Sequence, residues 1–341
     1  MTVTNTSNTI NRPTISIVVA THDQSEELQR NLPSLLNTQY APGFEVIVVD
    51  ESSTDQTEEV LNQLKEQYPH LYTTYIPSSS HYLSRCKLAL TIGVKAAKHE
   101  WIVFTEANCH PTSATWLDEL VKSMTAETDV VCGYTVFEKG TKAHFSYMRM
   151  LTFWRQGKRP YRYDGACLAI RKTAFMQRNG FLKNLRFLRG EYDFLVNETD
   201  RKRVAVMNTP ESRIEQEEPS VKSWTNQQLY YMQTRSHLKR TFFPRFLFVL
   251  HQLLIHILYI GMIIAIGLSF LNHNIIAIII SASCLLILLG IHAFLCLLLT
   301  KKYGEHIAFW KLPALDIGTI WHYLYFRLRY MMSDKYDFTR K

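Results

Sequence analysis

The sequence predicts an α/β domain with a mostly parallel sheet and helices on both faces, followed by two apolar helices and an amphipathic helix. Two observations predict this order. Apolar strands alternate with helical segments from residue 14 to about residue 240, which is the pattern of strand–helix–strand units in a parallel sheet. Two uncharged runs follow, at residues 246–271 and 275–300. Each is long enough to cross ~30 Å of hydrocarbon at about 1.5 Å per residue.

The first part of the chain divides into a leader and alternating elements. Residues 1–13 are polar and contain no apolar run of the kind found in signal peptides, so we expect a disordered leader. The predicted strands are TISIVVAT (14–21), FEVIVVD (44–50), LYTTYIP (71–77) and WIVFTE (101–106). The predicted helices between them lie at residues 25–39, 55–69 and 84–100. In a parallel sheet of this kind, ligands bind at the carboxyl ends of the strands.

Residues 246–300 predict a transmembrane hairpin with its turn at residues 272–274. Lys and Arg lie before the first span and after the second, and the turn contains neither. By the positive-inside rule this distribution places both ends, and therefore the domain of residues 14–240, in the cytoplasm. We expect a multi-pass protein of the cytoplasmic (inner) membrane. Residues 301–341 mix aromatic residues with arginine and predict an amphipathic cytoplasmic tail at the membrane surface.

Charge and cysteine content exclude several other classes of protein. The net charge is +8, but the basic residues gather beside the apolar spans, so membrane lipid is the expected partner and nucleic acid is not. The six cysteines include no CxxC pair, which argues against structural zinc, and free thiols suit a reducing cytosol.

Acidic and amide side chains gather at the predicted strand ends and in one later segment. They are Asp50 and Glu51, Glu106 and Asn108, and Glu191 and Asp193. Buried carboxylates are costly unless they are paired or bound to a metal, so three such clusters suggest a sugar-nucleotide site. One acid can accept from the base or ribose, a second can hold a divalent cation on the diphosphate, and a third can deprotonate a hydroxyl. Arg85 and Lys87 are candidates to meet the phosphate charge.

Three motifs give the domain a family resemblance. SIVVATHD, FEVIVVDESSTDQT and WIVFTEANCHP resemble the opening strand, the VVDDxSxDxT motif and the DxD-bearing strand of family 2 glycosyltransferases. GEYDFLVN resembles the segment that contains their catalytic base, and a trailing membrane hairpin is common among them. The resemblance covers residues 14 to about 240 and implies a GT-A (Rossmann-like) fold. It also implies transfer from a nucleotide-sugar donor, UDP- or GDP-linked, usually with inversion.

The resemblance also implies roles for individual residues. Asp50 would contact the nucleobase, Glu106 the ribose or the metal, and Asn108 the metal, which would be Mg²⁺ or Mn²⁺. Glu191 would be the catalytic base, with Asp193 as a supporting or alternative candidate. Arg235 matches the arginine of the QxxRW-like segment, WTNQQLYYMQTRSHLKR, and would face the diphosphate or the acceptor. A membrane location suggests a lipid-linked or envelope glycan as the acceptor.

The motifs depart from the family pattern at four places. DxD has become Glu-Ala-Asn, Met232 replaces the motif glutamine, Cys167 stands where asparagine is usual, and Tyr192 interrupts the acidic run. These changes leave a second hypothesis open: a weak or inactive homologue that binds nucleotide sugar or partners in a glycan-assembly complex. Structural roles are open too, with Asp50 or Asn108 as turn residues and Glu191 and Asp193 as an ordinary helix start.

Overall fold

The computed structural model describes residues 12–78, 84–157 and 160–333. Most of the predicted leader and the last part of the predicted tail lie outside the described residues. The strands are β1 (Ile15–Thr21), β2 (Phe44–Asp50), β3 (Leu71–Tyr75), β4 (Trp101–Glu106), β5 (Cys109–Pro111), β6 (Val130–Gly133), β7 (Thr135–Phe137), β8 (Leu168–Arg171), β9 (Val204–Met207) and β10 (Ile214–Gln216). The helices are α1 (Ser25–Leu36), α2 (Thr57–Gln67), α3 (Arg85–Ala96), α4 (Trp116–Val121), α5 (Ala143–Gln156), α6 (Lys172–Gln177), α7 (Glu191–Glu198), α8 (Val221–Thr234), α9 (Phe242–Leu271), α10 (Ile275–Tyr303) and α11 (Leu312–Met332).

The central sheet has the strand order β3–β2–β1–β4–β8–β6–β9. Strand β8 is antiparallel to both neighbours, β4 and β6, and the other pairs are parallel. The predicted mostly parallel sheet is therefore confirmed. A smaller sheet, β5–β10–β7, lies beyond the carboxyl end of β4.

Strand β1 explains why the predicted strand ends converge. Four of its apolar residues, Ile15, Ile17, Val18 and Val19, are fully buried, and neighbouring residues face different cores. Ile17 packs on the side that includes α1 and α4, and Val18 on the side that includes α3 and α5. The register then places Asp50 of β2 opposite Thr21, and Glu106 of β4 opposite Ala20. The two predicted acids thus flank the carboxyl end of the same strand.

Helices α9 and α10 form an antiparallel hairpin. They are 30 and 29 residues long and apolar enough to cross a membrane by length and composition, and none of the most apolar part of either helix is buried within the chain. Asn274 caps the start of α10, since its Oδ1 accepts the Ala277 N–H at 3.0 Å. The predicted hairpin is therefore present as a pair of candidate spans.

Helix α11 packs chiefly against α8, where Phe326 meets Leu229 and Met232, and both α10 and α11 also contact α5. The Tyr134 hydroxyl donates to Glu305 Oε1 at 2.6 Å, directly after α10 ends. On α5, the Tyr147 hydroxyl donates to Asp316 of α11 at 2.9 Å. Burial raises the pKa of Glu305 to about 7, against the opposing effect of the Tyr134 hydrogen bond. Helices α8 and α5 therefore both connect the C-terminal helices to the domain.

Candidate functional site

The end of β2 forms a tight turn around Asp50. Its carboxylate accepts the Ser53 N–H at 3.1 Å and the Ser53 hydroxyl at 2.5 Å. Ser52 between them has a φ of 64°, a conformation that few L residues adopt. Asp50 therefore stabilises the turn that follows β2. It also lies at the edge of the sheet where the sequence predicts nucleotide binding. The next residue, Glu51, is bound through its backbone to β1, since its N–H donates to the Thr21 carbonyl at 2.8 Å.

Glu106 and Asn108 share a partner, Gln216 of β10. The Gln216 Nε2 donates to Glu106 Oε2 at 2.7 Å and to Asn108 Oδ1 at 3.3 Å. The other amide atom, Gln216 Oε1, is buried and has no hydrogen-bond partner. A buried polar atom without a partner costs on the order of 1–3 kcal/mol. The orphaned oxygen is an indication that this place is built to receive a further group.

Glu191 opens α7 beside the same strand ends. The residue before it, Gly190, has a φ of 88°, and a Cβ there would lie 2.9 Å from Thr234 Cγ2. Both features require glycine, so the chain turns sharply just before the glutamate. Glu191 Oε1 lies 3.5 Å from Arg189 Nη1 and 3.8 Å from Cys86 Sγ. Its second oxygen, Oε2, is buried and has no hydrogen-bond partner among the described residues.

Asp193 turns away from Glu191 because the segment is helical rather than extended. It is buried, accepts the Tyr163 N–H at 2.9 Å, and lies 3.4 Å from Arg162 Nε. Burial raises the pKa of Asp193 to about 6, and the Arg162 charge opposes the rise. The structure thus separates the two predicted base candidates: Glu191 faces the strand-end site, and Asp193 stabilises the loop around Tyr163.

The three predicted basic residues are placed differently from one another. Arg85 donates to the Glu51 carbonyl at 2.8 Å and to Ser52 Oγ at 2.9 Å, so it borders the site. Lys87 is fully buried, and its ammonium donates to the carbonyls of Asn184, at 2.9 Å, and of Phe187. Arg235 stacks over the Tyr323 ring of α11, 4.5 Å from its centroid. In this structure the side chains of Lys87 and Arg235 both contact other groups of the protein. That either residue contacts phosphate stays a prediction.

Two other arginines, Arg149 and Arg189, act on the acids of the site. Burial raises the pKa of Glu106, and both guanidinium groups oppose the rise. Burial also raises the pKa of Glu51, and Arg189 is the largest opposing charge. Sequence reasoning missed both arginines. Arg189 stands two residues before Glu191 in LRGEYD and could have been found there. Arg149 lies inside α5 and outside every motif, so nothing in the sequence marked it as a residue of the site.

The residues around Gln216 fit a divalent cation of modest affinity. No group of three His, Cys, Asp or Glu side chains suited to a metal occurs in the described part of the chain. Glu106, Asn108 and Gln216 nevertheless bring one carboxylate and two amides together, and hard cations accept both kinds of oxygen. A cation requires Gln216 to turn its unpartnered Oε1 toward the other two oxygens, because its NH₂ now lies there. The donor set therefore fits, with a single formal negative charge.

A mostly parallel sheet with an acid and an amide beyond its central strand, and a glutamate beside them, defines a glycosyltransferase of the GT-A class. Residues 16–184, about half of the chain, match the model of glycosyl transferase family 2, and the chain belongs to this family. The predicted family, fold class and enzyme class are therefore confirmed.

The chain is also similar to individual proteins. The chain is 28% identical over 95 residues to the poly-beta-1,6-N-acetyl-D-glucosamine synthase of Staphylococcus epidermidis. That match covers 28% of this chain and 21% of the relative, so about a fifth of the relative's length is spanned. The mannosyltransferase PcManGT of Pyrobaculum calidifontis, solved with GDP-Man and Mn²⁺, is similar in structure with a TM-score of 0.53 and 16% identity, over 92% of this chain and 88% of that one. The S. aureus protein TarS (residues 1–349), solved with UDP, has a TM-score of 0.48 and 14% identity, over 67% of each chain.

Proposed function

We propose that the protein is a membrane-anchored glycosyltransferase that moves a sugar from a UDP- or GDP-linked donor to an acceptor hydroxyl, with inversion. Glu191 Oε2, buried and without a partner beside the strand-end acids, is the observation that supports this most directly. A carboxylate in that position can accept a hydroxyl proton as the hydroxyl oxygen attacks the anomeric carbon. Asp50 and Glu51 border the place where the base and ribose would lie.

The departing diphosphate requires positive charge. Mg²⁺ or Mn²⁺, held by Glu106, Asn108 and Gln216, would supply part of that charge when bound. The chain's own residues supply the rest, since Arg149 and Arg189 already act on the carboxylates of the site. The Mn²⁺ in the structurally similar mannosyltransferase supports a cation in this position.

The hairpin supports the proposed location and acceptor. Two candidate spans with basic residues at their domain-side ends support a multi-pass protein of the cytoplasmic membrane with the domain of residues 14–240 in the cytoplasm. A hydroxyl on a lipid-linked or envelope glycan is the acceptor that such a position would offer. The partial match to a polysaccharide synthase supports the same class of acceptor.

A second candidate function is a homologue that binds nucleotide sugar with little or no transfer. The observation in its favour is the single carboxylate of Glu106–Ala107–Asn108, where the family motif has two. A screen of nucleotide sugars with Mg²⁺ or Mn²⁺ on detergent-purified protein distinguishes the two functions. Release of nucleoside diphosphate by wild type, and its loss in Glu191→Gln, supports the enzyme. Donor binding without release from any nucleotide sugar supports the binding protein.

A further inference from the structure

The loop before α7 presents an arginine to the acids of the site. The side chain of Arg189 is 51% exposed, and its Nη1 lies 3.5 Å from Glu191 Oε1. Its charge also acts on Glu51 and Glu106. These three carboxylates come from the end of β2, the end of β4 and the start of α7, so Arg189 lies where the three elements meet.

This arginine is not committed to its acidic neighbour. A charge-assisted hydrogen bond between a guanidinium and a carboxylate is normally about 2.7–2.9 Å long, so a separation of 3.5 Å is a loose contact. The guanidinium has five donors arranged as a planar fork, which matches the oxygens of a phosphate group. An exposed guanidinium that is only loosely paired with one carboxylate can turn its donors to an anionic ligand, and the other carboxylates nearby oppose that ligand.

The backbone of the loop is fixed by α3. The ammonium of Lys87 donates to the carbonyls of Asn184 and Phe187 and, at 3.4 Å, to that of Arg189 itself. The Ser84 hydroxyl donates to the Leu188 carbonyl at 2.8 Å. A buried cation satisfied by loop carbonyls holds the loop in one conformation. The start of α3 therefore fixes the position from which Arg189 reaches the site.

We propose that Arg189 binds the diphosphate of the nucleotide-sugar donor and that Lys87 is a positioning residue for it. The proposal rests on the proposed function, because it names the protein group that meets the donor's phosphates. When the diphosphate enters, the guanidinium exchanges its loose contact with Glu191 for phosphate oxygens. The Glu191 carboxylate then faces the acceptor hydroxyl without a competing cation.

The experiment measures binding of UDP, GDP, uridine and guanosine to the full-length protein in detergent by isothermal titration calorimetry. Removing a charge-assisted contact of this kind weakens binding roughly 10- to 100-fold. We expect that loss for the diphosphate in Arg189→Ala, a smaller loss in Arg189→Lys, and unchanged binding of the matching nucleoside. Arg186→Ala is the matched control, because Arg186 is an exposed arginine of the same loop that stacks on Phe187. It should bind as wild type does.

The positioning role of Lys87 is tested in the same assay. Lys87→Met should weaken diphosphate binding in the wild-type background and have no further effect in the Arg189→Ala background, because the two residues act in one path. Equal losses in both backgrounds would show that Lys87 only supports the fold. If Lys87→Met does not fold, Lys87→Gln, which keeps a donor, is compared in the same two backgrounds, and equal losses there refute the positioning role.

The outcomes separate this proposal from the proposed function. If wild type binds UDP or GDP and Arg189→Ala binds it equally well, the role of Arg189 is refuted and the glycosyltransferase proposal stands. If wild type binds neither nucleotide with Mg²⁺ or Mn²⁺ present, both proposals are refuted together. A loss of affinity for the nucleoside as large as that for the diphosphate would show a disturbed pocket and would also refute the phosphate contact.

Discussion

Two substitutions at the start of α7 should separate catalysis from stability. Among the described residues Glu191 Oε2 is buried without a hydrogen-bond partner, and Arg189 Nη1 lies 3.5 Å from Oε1. Glu191→Gln keeps the size of the side chain and removes the proton acceptor. Losing a general base costs about 10²–10⁴ in rate, which corresponds to about 3–5 kcal/mol of transition-state stabilisation at 1.36 kcal/mol per decade. Because no short hydrogen bond is lost, we expect the free energy of unfolding to change by less than about 1 kcal/mol.

Asp193 should behave in the opposite way. Its carboxylate accepts a buried N–H from Tyr163 and pairs with Arg162. Asp193→Ala leaves that N–H without an acceptor, which costs about 1–3 kcal/mol. Arg162 is buried and keeps Asp164 at 3.2 Å but loses the larger of its two opposing charges, so the broken ion pair adds to this cost. Asp193→Asn retains an acceptor oxygen, and we expect its transfer rate to stay within about tenfold of wild type, because Asp193 does not face the acceptor side.

The assay pairs steady-state sugar transfer with thermal unfolding of the same detergent-purified samples. The expected pattern is a slow but stable Glu191→Gln, an active Asp193→Asn and a destabilised Asp193→Ala, with donor affinity near wild type in Glu191→Gln. An inactive Asp193→Asn together with an active Glu191→Gln would refute the assignment of the base. A Glu191→Gln protein that melts well below wild type would refute the claim that Glu191 has no structural role.

Four further predictions concern other parts of the molecule. Burial raises the pKa of Glu305 to about 7 from 4.5, so ionising it opposes folding: wild-type stability should fall as pH rises from about 4.5 to about 7, and Glu305→Gln should show a flatter profile in thermal unfolding. Gly190→Ala, with its strained φ and its contact with Thr234, should lose about 1–3 kcal/mol of stability, and an unchanged melting temperature would contradict this. Asn108→Asp should tighten Mn²⁺ binding by about 1–3 kcal/mol, measured by titration with the donor present, and an unchanged midpoint would make Asn108 a turn residue only. A cysteine at Asn272 should react with an impermeant thiol reagent from outside intact cells whose outer barrier is opened, and protection there would invert the topology.

The sequence predicted the part of the site that local patterns determine. Continuous apolar runs identified β1, β2 and β4, and their polar ends identified Asp50 and Glu106. Because parallel strands begin and end together, the register of β1 then had to bring those two residues to one edge. Identifying the strands and placing their polar ends at one edge requires only the assumption of a parallel sheet. Both predictions could therefore be made from the sequence.

The rest of the site depends on contacts that no local pattern indicates. Gln216 meets Glu106 across 110 positions of the chain, and it does so because β10 pairs with β5 in the small sheet. Arg149, in the middle of α5, lies over the Phe137 ring and acts on Glu106 through its charge. Lys87 and Arg235 show that a basic residue in or near a motif need not contact the ligand. Lys87 donates to loop carbonyls, and Arg235 lies over an aromatic ring. Charge can be located in a sequence, but its partner is set by tertiary packing.

The altered motif, Glu106–Ala107–Asn108, does not by itself decide between an enzyme and a binding protein. The reason is the balance of charge in the site. Glu51, Glu106 and Glu191 oppose Arg149 and Arg189, so the site has one more negative than positive group when all five are charged. A donor diphosphate would deepen this imbalance, and burial already raises the pKa of Glu51 and Glu106. Replacing the second motif carboxylate with Asn108 removes one negative charge from this place. The same substitution that weakens a cation site therefore also lowers the repulsion felt by the diphosphate, and the arginines contribute a larger share of its binding.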